Sequence, residues 1–108
     1  FNAKPVMGQP VSQVPPRYFG FGLPYPSPFN SEVSIPFHLH ERGDVGIDVV
    51  DLLGQQVARL LHSPLEAGDH VVRWDGRGST GNRTASGVYW VILRVGVATD
   101  VTRIVLLR

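Results

Sequence analysis

The chain has 108 residues, 43% of them hydrophobic and 18% charged, enough for one domain with one modest core. Ten Lys and Arg against nine Asp and Glu leave a net charge of +1, so no electrostatic reason exists to expect nucleic acid or an anionic membrane as partner. Cysteine is absent, which removes disulfides, thiolate metal sites and thiol nucleophiles, and the longest apolar runs fall far short of the ~20 residues a spanning helix requires.

Seven of the nine prolines lie before residue 29, and Lys4 and Arg17 are the sole charges up to Asn30. Residues 1–24 read as an extended, Pro-rich arm or linker and 25–108 as the folded unit. No signal peptide is visible and the first residue is Phe1, so the sequence reads as a fragment or as a mature product.

From Ser31 the pattern changes. Val33, Ile35, Phe37 and Leu39 alternate with polar or small residues, which predicts a half-buried strand, and Pro36 is expected to confine it to a sheet edge or a bulge. Val45, Ile47 and Val49 continue the alternation after a turn at 41–44. Residues 51–61 are ambiguous, since Leu53, Val57, Leu60 and Leu61 also fit helical spacing; a turn at Asp51-Leu52-Leu53-Gly54 followed by a strand near 56–61 is the reading adopted. A turn at 67–69 precedes a strand with His70, Val72 and Trp74 on one face. A loop rich in Gly, Ser, Thr and Asn spans 75–86, and strands follow at 88–95 and 97–107. Five or six short strands between Gly-rich turns, with no convincing helix, predict an all-β, immunoglobulin-like antiparallel β-sandwich.

Few residues carry chemistry. Gly76 to Gly81 spells G-x-G-x-x-G, but a strand rather than a helix follows, so a loop is the better reading than a dinucleotide site. His38 and His40 share a strand face without a third ligand, and Asp75 and Asn82 flank a loop lacking the dense acids of a calcium site, so no metal and no cofactor is expected. Asp44, Asp51, Asp69 and Asp75 fall where turns need a side-chain acceptor, and no nucleophile elbow occurs; no enzymatic activity is expected. Asn82-Arg83-Thr84 is a glycosylation sequon, which makes Asn82 a candidate modification site. The strand 88–95 is apolar on both faces, so Trp90 and Ile92 must be covered by the chain itself or by a neighbour.

Tyr25-Pro26-Ser27-Pro28-Phe29-Asn30 resembles the opening of the C-terminal sorting domains of bacterial type IX secretion cargo. Asp51-Leu52-Leu53-Gly54, Ala67-Gly68-Asp69-His70, Trp74-Asp75-Gly76, Ser86-Gly87-Val88-Tyr89 and Val105-Leu106-Leu107-Arg108 follow in the same order. The Trp-Asp-Gly and Gly-Val-Tyr pair is also similar to the immunoglobulin-like domain of the flagellar hook-cap protein. This resemblance implies a seven-stranded, non-catalytic sandwich of the bacterial cell surface or exterior, with Trp74 and Tyr89 as core anchors, Gly76 and Gly87 as conformational residues and Asp51 and Asp75 as turn acceptors.

Nothing in these residues is a cargo to be sorted, which favours a self-assembling structural subunit. In that reading Val6, Val11, Val14, Tyr18, Phe19 and Phe21 of the arm dock on a neighbouring copy, against Trp90 and Ile92 or the Pro36 strand edge, giving a homopolymer. The alternative is a type IX sorting and anchoring module partnered by secretion machinery, with the arm as linker. A carbohydrate-binding module using Tyr18, Trp90 or the His38 and His40 face is the third.

Overall fold

A computed structural model describes residues 19–108, in which seven strands form two antiparallel sheets. In chain order they are β1 (Gly20–Phe21), β2 (Val33–Leu39), β3 (Gly43–Val50), β4 (Gln56–Leu65), β5 (Gly68–Trp74), β6 (Gly87–Val95) and β7 (Ala98–Leu106). The small sheet has the order β1-β2-β5 and the large one β4-β3-β6-β7. Val33, Ile35, Phe37 and Leu39 of β2 face Val45, Ile47 and Val49 of β3 and Val91 and Leu93 of β6 across one fully buried core, as the alternation requires.

Two expectations need correction. Pro36 lies at neither an edge nor a bulge, because β2 is the central strand of its sheet. The backbone of Ser34 exchanges both hydrogen bonds with Tyr25, so even-numbered residues of β2 present their N–H and C=O to the β1 side. Pro36 therefore faces β1, where Gly22 donates to its carbonyl oxygen at 2.9 Å; the reciprocal bond, which proline cannot donate, falls just where β1 ends. The ladder to β5 runs through the odd residues and loses nothing.

The second concerns the arm. The sheet starts at Gly20, inside the stretch the sequence groups with the arm, and Phe19 and Phe21 pack on the chain's own core. Phe21 meets Phe37 edge-on at 6.5 Å, and its N–H donates to Asp100 Oδ2 at 2.8 Å, fastening β1 to the large sheet. Val6, Val11, Val14 and Tyr18 lie outside the described residues.

The helical spacing of residues 57–61 has a specific origin. Asp48 pairs with Arg59 and Ile47 with Leu61, while Val49 pairs with Ala58 and Val50 with Gln56. Leu60 and Val57 are the extra residues of two β-bulges in β4, and each bulge breaks the period-2 alternation that a regular strand would show.

Candidate functional site

Apart from Ala67-Gly68-Asp69-His70, which opens β5 at the opposite end, the family-motif residues, separated along the chain, gather at one end of the sandwich. Tyr25 is tied by two backbone bonds to Ser34 in the small sheet, and Phe29 donates to Val105 O and accepts from Leu107 N at the edge of the large one. The segment 25–30 thus straps the two sheets together. Phe29 is buried, its ring 5.9 Å from Trp74, which meets Tyr89 at 5.3 Å in an edge-to-face contact. Trp74 Nε1 donates to Arg77 O at 2.8 Å, and the Tyr89 hydroxyl donates to Ala85 O at 2.7 Å, so both aromatic anchors also hold the 75–86 loop. Tyr25, Pro28 and Asn30 are exposed.

The acids of this end serve their own turns. Asp51 Oδ1 accepts from Leu53 N and Gln55 N, both at 2.9 Å, while Gly54 takes a positive φ of 83° to close the turn. Asp75 Oδ1 accepts from Arg77 N at 3.0 Å. A polar cleft of about 500 Å³ lies between these turns, lined by Asp51, Gln55, Ser79, Thr80, Asn82 and Thr84 among others; Asp51 is its one ionisable group. Asn82 is exposed, but its Oδ1 accepts from the Thr80 hydroxyl at 2.6 Å, and the Thr84 hydroxyl donates to Gly76 O at 2.7 Å. Asn82 and Thr84 of the sequon are thus engaged in holding the loop.

On the small sheet, His38 Nδ1 lies 2.6 Å from Asp69 Oδ1, and His70 stacks on Phe37 at 5.3 Å while bonding Glu66 O. Among the described residues no group of three or more His, Asp or Glu converges as metal ligands would. Trp90 lies on the other sheet, so it forms no common platform with His38.

The outer face of the large sheet is of a different character. Trp90 sits between Val50 and Arg103, Ile92 between Asp48 and Val101, and Val88 opposite Val105. Trp90 is 37% and Val101 48% exposed, an apolar stripe in contact with solvent. Asp48, 5% exposed, is the buried charge of the described residues. Arg59 Nε reaches its Oδ1 at 3.0 Å and Arg94 Nη1 its Oδ2 at 3.2 Å, with both guanidiniums half in water. The hydrogen bond that Arg59 donates to Asp48, reinforced by the carboxylate's charge, raises the Arg59 pKa above the ordinary arginine value. Sequence reasoning named Trp90 and Ile92 but missed this Arg-Asp-Arg bridge, whose members are distant in sequence; Asp48 amid the valines of β3 was the available signal.

The sheet order, the single core and the aromatic anchors define an immunoglobulin-like sandwich. Its family is settled by the sequence: the profile of the FlgD Ig-like domain matches residues 30–95, and the chain belongs to that family. No curated protein matches the chain. Among solved structures it is similar to PorZ, described as an essential bacterial surface component of the type IX secretion system of Porphyromonas gingivalis. Identity is 26% over 80% of this chain, with a TM-score of 0.54, and the match spans 11% of the PorZ chain.

Proposed function

We propose that this chain is a non-catalytic structural module of the bacterial surface or exterior, carried on type IX cargo or machinery, with the Pro-rich N-terminal segment as its link to the attached protein. The observation that carries this reading is the likeness to a type IX surface component over 80% of the chain. It agrees with a motif-bearing end whose acids and aromatic polar groups hold turns and loops rather than face a substrate. The test is to fuse the chain to the C-terminus of a periplasmic reporter in a bacterium with a working type IX system and in a strain lacking it. The reporter is expected at the surface or in the medium in the first strain alone. Periplasmic retention in both would sink the reading.

A second reading, favoured by the exposed Trp90 and Val101, is a self-associating subunit in which a neighbouring copy covers that face. In its narrower form the arm, through Val6, Val11, Val14 and Tyr18, covers Trp90 and Ile92 of the next copy. Among the described residues the seven strands lie beyond residue 18, so a chain lacking residues 1–16 keeps all of them. Light scattering of the full and shortened chains separates the forms: association lost with the arm supports arm docking, and monomers in both leave the arm a linker.

A further inference from the structure

The outer face of the large sheet and the end opposite the Trp74 cluster are complementary in charge. Among the described residues the charged side chains around Trp90, Ile92 and Val101 are Arg59, Arg94 and Arg103 against Asp48, and Asp48 is covered by two of these arginines. The exposed charge of this stripe is therefore cationic. At the end formed by the turns after β2, β4 and β6, Glu41, Asp44, Glu66 and Asp69 outnumber Arg42, whose Nε pairs with Glu66 Oε2 at 3.2 Å, so the end keeps an excess of carboxylates. These turns lie side by side, since Leu39 pairs with Gly68, Gly43 with Leu65 and Val45 with Val95. Val97 projects from the same end and is entirely exposed. An apolar knob with an acidic collar thus exists on the same molecule as an apolar stripe with a basic border.

We propose that the occupant of the Trp90 face is the turn end of a second copy, with Val97 against Trp90 and Val101 and the carboxylates of Glu41 and Glu66 beside the arginines. This rests on the self-association reading above and replaces the arm as the covering element. The arm is the poorer match because its charges, Lys4 and Arg17, have the same sign as the face. End and face are different surfaces, so the contact is heterologous and leaves a free end and a free face on every pair. Salt weakens it, because the charges lie at an exposed border.

The test uses the full chain in light scattering or analytical ultracentrifugation. An end variant carries Glu41→Arg and Glu66→Arg; a face variant carries Val101→Glu and Arg103→Glu, which leaves the Asp48 bridges intact. Circular dichroism checks that both fold. Each variant alone is expected to stay monomeric where the parent associates, and their equimolar mixture to form a 1:1 dimer and nothing larger, since one good end and one good face remain. A parent that associates alongside variants that associate equally well overturns the proposal while self-association stands. Variants that are monomeric alone and remain so when mixed overturn it in the same way. A monomeric parent at every soluble concentration overturns both the proposal and the reading beneath it.

Discussion

The side chain of Arg108 is fastened to the carbonyl oxygen of Gly76, with Nη2 donating at 2.6 Å while Nε donates to Thr84 O at 2.9 Å. The Arg108 backbone N–H also bonds Ser86 Oγ at 2.9 Å. The second residue after the last strand thereby clamps both ends of the 75–86 loop. Gly76 permits it in two ways: its φ of 76° suits glycine, and a Cβ there would lie 2.7 Å from Arg108 Nη2.

Arg108→Ala removes charge-assisted bonds at a partly exposed site and is expected to cost about 1–2 kcal/mol. Hydrogen exchange should quicken across residues 76–86 with the β3 and β6 amides little changed. Gly76→Ala should cost at least as much, adding backbone strain to the displaced guanidinium; urea titration of both variants checks the order.

Trp74, 2% exposed, joins Phe29 and Tyr89 and holds Arg77 O. Trp74→Ala opens a large cavity and strands that carbonyl, for an expected loss of about 3–5 kcal/mol, a large share of the ~5–15 kcal/mol a domain possesses. Tyr89→Phe keeps the ring and loses one bond, about 1 kcal/mol. Thermal denaturation should show the first variant largely unfolded and the second lowered by a few degrees.

Asp48 gives a prediction whose sign is informative. Asp48→Val removes the buried charge and leaves two guanidiniums that already reach water, so stability should change by less than about 1 kcal/mol. The double variant Arg59→Ala and Arg94→Ala leaves the carboxylate buried without its partners. It should cost more than Asp48→Val, though less than breaking a fully enclosed pair because both arginines are half-exposed. A denaturant midpoint that puts the Asp48→Val loss clearly above about 1 kcal/mol would show that the bridge contributes net stability rather than merely satisfying a buried charge.

Asp51→Ala deletes the acceptor for two turn amides and should lower stability by about 1 kcal/mol, whereas Asp51→Asn, which keeps an acceptor oxygen, should recover most of it. Equilibrium unfolding of the pair distinguishes the hydrogen bonds from the charge.

Much of this protein was legible in local pattern. Alternation at 33–39 and 45–49 placed the core strands, and acceptor residues at 51 and 75 placed turns, because strand period and turn chemistry act within a few residues. Residues 57–61 were ambiguous for an equally local reason: bulges at Val57 and Leu60 put apolar residues out of phase, and nothing short-range announces a bulge.

The sequence alone determined the all-β class and the core-facing residues of β2 and β3, since strand alternation and backbone conformational limits are properties of each segment, and its family resemblance pointed to Trp74 and Tyr89 as anchors. Tertiary structure decided what depends on which segments meet. It made Pro36 central rather than marginal by setting its donorless side against a two-residue strand, and drew Phe19 and Phe21 into the chain's own core. It also brought Arg59 and Arg94, 11 and 46 residues from Asp48, to one carboxylate, because hydrogen bonds and ion pairs act over a few ångströms in space whatever the separation along the chain.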